Sequence, residues 1–492
     1  MRSDEKRKRS AWWLVAAALW QACGAPVEPE ATAAEAAVTT TVAALEVSQA
    51  QEADLVQRLQ AVPGVLSVVE RPSTVPGTRF FHLGFEVPTD HRRPSGERFT
   101  LRATLLHRSE SAPMVLYSGG YALSSYSSEY EPTWLLGANQ LSVEYRYFGE
   151  SFPLSRDWRR LDVWQAAADF HQLVQAFKPL YPARWLNTGG SKGGMAAVHH
   201  RFFYPRDVDA TVAYVAPSSH GLSDPRYIGF LERVGDAACR ERLKGLQRTA
   251  LERREEMLPY VEDLAESYED SFHLLGTDRA FEFAVLEFPF AFWQYGSAEW
   301  CDYLPEPETV STDELFELLD DVSDILYTYG DLALGAYAGY YYQSATELGG
   351  PGYPDAHLKD LLRYRGQDVS AVYLPFQVTE PYNPLVPLLA ELWVHHAGQR
   401  IMFLYGDQDP WSAAAFSVRE RNDSWRFTVP NANHSNARIR RLPDAERALA
   451  AQRLSEWMNA PVRPMPAQGA LTAFSVAEDG PVNEPTEGRR RR

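Results

Sequence analysis

Basic residues, cysteines and long hydrophobic runs are all scarce in this sequence. Its 492 residues include 48 Lys and Arg against 65 Asp and Glu, which gives a formal net charge of −17 at pH 7. The imbalance is concentrated between Leu231 and Gly330, where there are 24 acidic residues and 8 basic ones. Nucleic acid is therefore disfavoured as a partner, because phosphate backbones are bound through basic side chains.

Sequence patterns of cofactor and metal chemistry are also missing. No G-x-x-x-x-G-K loop that would cradle phosphates is present, no dinucleotide fingerprint follows a strand pattern, and no cluster of metal-ligating residues stands out. No internal repeat is found either. The sequence therefore implies no cofactor and no metal.

The N-terminus has the pattern of an export signal. Basic residues up to Arg9 precede an apolar run from Ala11 to Trp20 and small residues around Cys23. That run is half of the ~20 residues that a membrane-spanning helix requires, and no later stretch qualifies. Cys23 follows Ala22 as in a bacterial lipoprotein cleavage site, at which the cysteine is acylated, and lipidation and simple secretion both remain open. We expect a mature protein that is soluble or lipid-anchored outside the cytoplasm.

Two cysteines remain after the signal segment, Cys239 and Cys301. In an exported chain a disulfide between them is the leading expectation, and two buried free thiols are the alternative. The bond would close a loop of about 60 residues and contribute roughly 3 to 4 kcal/mol to stability.

Strand and helix patterns alternate along much of the chain. Apolar runs predict strands at residues 80–87, 99–108, 114–121, 141–149, 184–190, 210–219, 400–406 and 425–430. Helical spacing of apolar residues predicts helices over 162–177 and 444–458. The alternation indicates the α/β class, with a mainly parallel sheet flanked by helices.

A long helical stretch separates the two groups of strands. Residues 222–385 carry acidic, Leu- and Tyr-rich helical patterns. We interpret this stretch as a large acidic helical cap inserted into the sheet domain. The predicted organisation is signal peptide 1–22, flexible tether 23–50, first part of the sheet domain 51–221, helical cap 222–385, second part of the sheet domain 386–460 and disordered tail 461–492.

Ser191 is the leading candidate for a catalytic nucleophile. The segment "LNTGGSKGGMAAV" (186–198) satisfies G-x-S-x-G, with a strand pattern before the serine and a helix pattern after it. That setting is typical of a nucleophile elbow, in which a strained strand-to-helix turn exposes the serine. A glycine-rich loop without catalytic function is the alternative.

A serine nucleophile requires a base and an acid, and in the α/β-hydrolase architecture the three follow in the order Ser, Asp or Glu, His. The segment "IMFLYGDQDPW" supplies Asp407 and Asp409 directly after a late strand, and "FTVPNANHSNAR" supplies His434 in the loop after the next strand. From the pattern alone, either aspartate could be the acid.

The negative oxygen of the tetrahedral intermediate must be met by backbone N–H donors. The N–H of Lys192, directly after the nucleophile, is one candidate. The segment "YSGGY" (117–121), at the end of an early strand, offers Gly120 or Tyr121 as the other. Glycines that only ease a tight turn are the alternative.

Long segments extend this pattern over nearly the whole mature chain, among them "RFFHLGFEVPTDHRRP", "VEYRYFGES", "NTGGSKGGMAAVHHRFFYPRDVDATVAYVAP", "EFPFAFWQYG", "GDQDPWSA" and "NANHSNARI". On these segments the chain resembles the bacterial secreted tripeptidyl aminopeptidases of the α/β-hydrolase serine peptidases, and more distantly prolyl carboxypeptidase and dipeptidyl peptidase II. The resemblance implies a peptidase that removes short peptides, typically tripeptides, from free N termini, in some members after proline. The aspartate of "DPW" is the triad acid in the family pattern, which favours Asp409.

Such an enzyme must recognise the α-ammonium group of its substrate, and a carboxylate of the cap suits this task. Glu287, in "LEFPFAFWQYG", is our candidate, with simple helix packing or solvent exposure as the alternative. The expected partners are peptide or protein N termini.

Two other functions compete with an exported serine aminopeptidase. An esterase or lipase of the same fold would share the triad, although an acidic cap argues against long-chain lipids. A non-catalytic surface lipoprotein would use the fold for binding, and it would have no need of Ser191, Asp409 and His434 together.

Overall fold

The computed structural model describes residues 54–465 of the chain. The chain divides into two compact units, residues 1–57 and residues 58–492, and everything described below belongs to the second unit. The predicted signal peptide, the tether, the lipidation site at Cys23 and most of the predicted tail lie outside the described residues.

One nine-stranded sheet runs through this unit. Its strands are β1 (Val65–Arg71), β2 (Arg79–Pro88), β3 (Arg98–His107), β4 (Met114–Tyr117), β5 (Asn139–Val143), β6 (Trp185–Gly190), β7 (Ala210–Tyr214), β8 (Ile401–Gly406) and β9 (Trp425–Val429). Their order in the sheet is β1-β2-β3-β5-β4-β6-β7-β8-β9. The pairs β1/β2, β2/β3 and β3/β5 are antiparallel, and every later pair is parallel.

Helices follow the strands along the chain. They are α1 (Glu131–Leu136), α2 (Val163–Phe177), α3 (Lys192–Phe203), α4 (Pro225–Leu231), α5 (Ala237–Glu252), α6 (Arg254–Ser267), α7 (Thr277–Tyr295), α8 (Thr312–Ser323), α9 (Ile325–Tyr329), α10 (Asp331–Ala336), α11 (Ala338–Gln343), α12 (Leu385–His396) and α13 (Asp444–Met458). A π-helical turn, Ser344–Leu348, extends α11.

The parallel strands are covered on both faces. Every residue of β5, β6, β7 and β8 is buried, as expected for strands between two helical layers. Neighbouring residues of a strand point to opposite faces, so Val212 and Ala213 belong to different apolar clusters. The first cluster contains Leu454 of α13, and the second contains Val198 of α3 and Val394 of α12. This arrangement confirms the predicted α/β-hydrolase fold with its mainly parallel sheet.

Helices α4 to α11 lie between β7 and β8 in the chain and share an apolar core of their own. Phe281, Trp293 and Leu319 belong to that core. Two helical patterns that are continuous in the sequence are divided in the structure, at Arg253 between α5 and α6 and at Asp324 between α8 and α9. Among the described residues, no helix has the length and apolar composition that crossing a membrane requires.

Candidate active site

Ser191 forms the tight turn between β6 and α3. Its φ of 52° and ψ of −123° fall outside the regions that L-residues favour. Its N–H donates to the carbonyl oxygen of Tyr214 at 2.9 Å. The side chain makes no capping hydrogen bond to its own helix. The Ser191 turn therefore has the geometry of a nucleophile elbow, in which the hydroxyl is not used to cap the following helix.

A close backbone contact explains one of the glycines beside Ser191. A Cβ atom on Gly193 would lie 2.0 Å from the carbonyl oxygen of Ser118. The absence of a side chain at this position lets the first turn of α3 pack directly against the loop that follows β4. Residues 118–121 are thereby brought next to the turn that holds Ser191.

His434 and Asp409 form a hydrogen-bonded pair. His434 Nδ1 lies 2.9 Å from Asp409 Oδ2, and both side chains are buried. The other carboxylate oxygen of Asp409 accepts the N–H of Trp411 at 3.0 Å. Because a carboxylate only accepts hydrogen bonds, Nδ1 of His434 carries the proton and Nε2 remains able to take one up.

Asp407 has a different role from Asp409. Its side chain is exposed, and its Oδ1 accepts the N–H of Ala432 at 3.3 Å. This contact ties the end of β8 to the loop that carries His434. The structure thus places Asp409, and not Asp407, against the imidazole.

The loop of His434 is also held by the C-terminal end of α7. The backbone N–H of His434 donates to the carbonyl oxygen of Gln294 at 2.9 Å. Asn433 Nδ2 donates to the carbonyl oxygens of Tyr295 and Gly296 at 2.7 and 2.8 Å. Helices α4 to α11, which we call the helical region, therefore fix the position of the candidate base through α7.

Ser191 and His434 line the same cavity, which has a volume of about 620 Å³. Cavities of this size commonly hold small ligands. Tyrosines dominate its wall, and they are Tyr117, Tyr121, Tyr130, Tyr295, Tyr327, Tyr329, Tyr337, Tyr340, Tyr341, Tyr353 and Tyr373. The described lining also includes the carboxylates of Glu287, Asp321, Asp324 and Asp368, against one lysine, Lys192. Carboxyl side chains therefore outnumber lysines four to one in the described lining.

The two candidates for the second oxyanion donor differ in their hydrogen bonds. The N–H of Gly120 donates to Ser118 Oγ at 3.1 Å, so it is already engaged. Tyr121 lines the cavity, and its N–H has no partner within residues 54–465. The N–H of Lys192 belongs to the first turn of α3, where helix geometry supplies no intrahelical acceptor. Tyr121 and Lys192 are therefore the candidate oxyanion donors.

Glu287 faces the cavity from α7 and is accompanied by Asp368, which sequence reasoning missed. Glu287 Oε2 accepts from Tyr353 Oη at 2.8 Å, and Oε1 accepts from Tyr373 Oη at 3.3 Å. Tyr373 has one hydroxyl hydrogen, and its closer acceptor is Asp368 Oδ1, whose Oδ2 has no hydrogen-bond partner among the described residues. Burial raises the pKa of Glu287. Burial, and then the Glu287 carboxylate, raise the pKa of Asp368 well above its usual range.

The remaining sequence predictions concern sulfur and metal. The Sγ atoms of Cys239 and Cys301 lie 2.02 Å apart, so the structure joins the two predicted cysteines in a disulfide. Within residues 54–465, no group of three or more His, Cys, Asp or Glu side chains is arranged to hold a metal ion.

Comparisons with known proteins agree with the geometry. The profile of the PS-10 peptidase S37 family matches residues 48–477. A prolyl tri/tetrapeptidyl aminopeptidase of Streptomyces mobaraensis is 40% identical over 414 residues, which cover 83% of this chain and 86% of that protein. A lysosomal Pro-X carboxypeptidase of Bos taurus is 24% identical over 378 residues, which cover 64% of this chain and 74% of that protein.

Among solved structures, a proline iminopeptidase of Mycobacterium smegmatis matches with a TM-score of 0.33 and 11% identity, over 80% of this chain and 99% of that one. The family profile spans most of the chain, and the Streptomyces mobaraensis relative is 40% identical over 86% of its own length. The resemblance stated from the sequence is therefore confirmed at the level of the family. The chain is a serine peptidase that belongs to the PS-10 peptidase S37 family.

Proposed function

We propose that this peptidase releases short peptides, tripeptides in the first instance, from the free N termini of peptide substrates, with proline accepted before the cut. The observation that carries the proposal is the shared cavity, in which the Ser191 turn and His434 are found together with the half-buried carboxyl groups of Glu287 and Asp368. The name of the Streptomyces mobaraensis relative, a prolyl tri/tetrapeptidyl aminopeptidase, supports the same substrate class.

The proposed chemistry is acyl transfer through Ser191. Ser191 Oγ bonds to the scissile carbonyl carbon, its proton passes to His434 Nε2, and the carbonyl electron pair moves onto oxygen. The N–H groups of Lys192 and Tyr121 donate hydrogen bonds to that oxyanion. The C–N bond then breaks as His434 returns the proton to the leaving amine. Water repeats the sequence on the acyl-enzyme, and Asp409 stabilises the imidazolium in both halves.

Recognition of the free N terminus is assigned to Glu287 and Asp368. A substrate α-ammonium can donate three hydrogen bonds, and Asp368 Oδ2 has an open acceptor position. A buried carboxylate pair holds negative charge at a cost, which a cationic ligand would offset. Since Ser191 lines the same cavity, the bound ammonium group would set the number of residues that reach the nucleophile.

Export from the cytoplasm is part of this proposal and rests on the N-terminal sequence alone. The basic start and the apolar run before Cys23 support it, and the Cys239–Cys301 disulfide is consistent with an oxidising compartment. Mass spectrometry of the protein recovered from its producing cells would show whether cleavage precedes Cys23 and whether that residue is acylated.

The substrate class is tested with three chromogenic compounds. Ala-Ala-Pro-p-nitroanilide with a free N terminus, its N-acetyl counterpart and a short p-nitrophenyl ester are offered to the purified protein and to its Ser191→Ala variant. We expect cleavage of the free peptide by the unchanged protein, and no cleavage by the variant. Equal cleavage of the acetylated peptide would contradict an aminopeptidase, and turnover of the ester alone would identify an esterase.

The ammonium site is tested with Glu287→Gln and Asp368→Asn. Each replaces a carboxyl group that could pair with the ammonium group by a neutral amide of the same shape, so we expect KM for the free tripeptide substrate to rise about 10-fold or more, as loss of one charged contact does. Turnover of the short ester, which has no ammonium group, should change little. Glu262→Gln, on the exposed face of α6, is the matched control. Equal losses on peptide and ester would remove the assignment.

A further inference from the structure

The side chain of Lys192 is buried at the centre of the site. Lys192 is the first residue of α3, directly after Ser191, and it is 3% exposed. Its Nζ donates to the carbonyl oxygen of Gly120 at 2.6 Å. The sequence pattern assigned a role only to the backbone N–H of this residue, whereas the structure also employs its side chain.

Aromatic rings surround the ammonium group. Nζ lies 3.4 Å from the centre of the Tyr145 ring, 4.9 Å from that of Phe148 and 5.3 Å from that of Tyr121. Ring faces attract a cation but replace only part of its hydration. Burial accordingly lowers the pKa of Lys192 well below its ordinary value, and the Glu347 carboxylate opposes this effect. Burial of a lysine in this position destabilises the folded state, and groups with strongly shifted pKa values are common at functional sites.

The contact of Lys192 is one half of a peptide group whose other half is a proposed oxyanion donor. The carbonyl of Gly120 and the N–H of Tyr121 belong to the same peptide bond, and no cis peptide occurs among the described residues. In a trans peptide the C=O and N–H bonds point in opposite directions. A group that holds the carbonyl oxygen of Gly120 therefore also fixes the direction of the Tyr121 N–H.

The backbone of Gly120 needs such a restraint. Its φ is +80°, and a Cβ atom at this position would lie 2.9 Å from the backbone nitrogen of Gly193. Glycine is therefore required, and glycine is also the residue whose peptide groups rotate most freely. The hydrogen bond from Nζ removes that freedom. The same hydrogen bond to the carbonyl oxygen polarises the peptide and strengthens its N–H as a donor.

We propose that the Lys192 side chain is a positioning residue for the oxyanion hole: it orients and polarises the Gly120–Tyr121 peptide so that the Tyr121 N–H meets the developing oxyanion. The inference rests on the proposed acyl transfer at Ser191. One residue then serves both donors, the first through its own backbone N–H and the second through its side chain. Lys192 is not a phosphate ligand or a general base in this scheme.

The test uses the full-length protein and Lys192→Met, which keeps the length of the side chain and removes its hydrogen-bond donor. Loss of one oxyanion donor lowers kcat by about 100- to 1000-fold, and misalignment of a donor that is still present should cost less, about 10- to 100-fold. We expect this fall in kcat on Ala-Ala-Pro-p-nitroanilide with KM within about threefold of its original value. Affinity for the peptide aldehyde Ala-Ala-prolinal, whose adduct with Ser191 carries the same oxygen, should fall by the same factor as kcat/KM.

The matched control is Lys178→Met. Lys178 Nζ also approaches a backbone carbonyl, that of Arg206 at 3.4 Å, but lies at the end of α2. Its kinetics should not change. A Lys192→Met protein that keeps kcat, or that loses substrate affinity while kcat stays constant, would overturn the proposal. So would unchanged aldehyde affinity at reduced kcat/KM.

Folding and function are kept separate by two further measurements. Circular dichroism and thermal unfolding establish that the variant is folded; if Lys192→Met is not, Lys192→Leu, which also removes the donor, must show reduced kcat at constant KM. If the unchanged protein hydrolyses only the short ester, the proposed aminopeptidase function has failed, and Lys192 is then judged on ester kcat. Ester kcat that does not change in Lys192→Met would overturn the inference by itself.

Discussion

Asp407 and Asp409 are two residues apart on the same loop, yet their surroundings differ completely. Asp409 is fully buried, begins the 3-10 turn Pro410–Ala414 and holds the imidazole of His434. Asp407 is exposed to solvent and contacts only a backbone N–H in the described hydrogen-bond network. Burial concentrates the electrostatic effect of a carboxylate, whereas solvent screens it. Only Asp409 can therefore stabilise an imidazolium at the active site.

This difference predicts unequal effects for the same substitution. In Asp409→Asn the amide would present N–H groups to Nδ1, favour the other tautomer and leave Nε2 unable to accept the proton of Ser191. We expect kcat to fall about 10⁴-fold, as such tautomer changes do in other serine peptidases. Asp407→Asn should stay within about threefold of the original kcat. Steady-state kinetics on the free tripeptide substrate measures both, and equal losses would contradict the pairing.

Single residues show where sequence patterns stop being informative. Ser191 and His434 follow recognisable elements in a fixed order, so spacing was sufficient to nominate them, whereas the preference for Asp409 over Asp407 came from the family resemblance. Asp368 lies in an irregular segment, and no period or motif marks it. Its relation to Glu287 arises only when residues 81 positions apart meet at one cavity wall. The side chain of Lys192 was missed for a similar reason, because its carbonyl partner belongs to a distant loop.

Secondary-structure elements were predicted well where burial controls their composition. The fully buried strands β6, β7 and β8 and the helices α2 and α13 agree with their apolar patterns. Strand predictions ran too far at 114–121, 141–149 and 210–219, since β4, β5 and β7 end at Tyr117, Val143 and Tyr214. Beyond these ends the chain stays mostly buried while it forms loops. Largely exposed β1 carries too weak a pattern to be assigned individually.

The disulfide joins two elements of the helical region. Cys239 lies in the first turn of α5, and Cys301 lies in the 3-10 turn Ala298–Tyr303 that follows α7, the helix that supports His434. The bond closes a separation of 62 residues. It thus restrains the unfolded chain over the segment that includes α5, α6 and α7.

We predict that the double variant Cys239→Ser, Cys301→Ser loses about 4 kcal/mol of unfolding free energy, the loop-entropy value for a closed loop of this length. Urea unfolding of the oxidised protein and the variant measures the difference, and peptide mapping without reductant verifies that the bond is present. Kinetic constants of the folded variant should change little. A free-energy difference near zero with the bond present would contradict the prediction.

At the scale of the whole molecule, polar contacts join the helical region to α2 and to the loop that follows β5. Glu347, on the π-helical turn, accepts the N–H of Val163, the first residue of α2, at 2.8 Å. Gln343 Nε2 donates to the same carboxylate oxygen at 3.2 Å and to Tyr145 Oη at 3.3 Å. Such contacts hold the two layers together through hydrogen bonds that no linear pattern reveals, whereas the layers themselves follow from apolar periodicity.

Glu347 also makes the stability of the whole unit depend on pH. Burial, followed by the charge of Asp162, raises its pKa from 4.5 to about 8. The unfolded chain therefore releases this proton above pH 4.5, whereas the folded protein retains it up to about pH 8. Because the unfolded state binds fewer protons over this interval, the free energy of unfolding falls as the pH rises, by up to about 1.4 kcal/mol per pH unit from this group.

Glu347→Gln removes this titration and keeps an oxygen that can accept the N–H of Val163. The variant should gain stability over the original protein as the pH rises from 5.5 to 8.5, and the difference should level off above about pH 8, where both forms of the original protein have lost the proton. Urea unfolding at several pH values measures the two curves, with Glu262→Gln on exposed α6 as the control. Parallel curves would contradict the raised pKa of Glu347 in the folded protein. A carboxyl group with the same pKa in the folded and unfolded states adds no pH dependence to the free energy of unfolding.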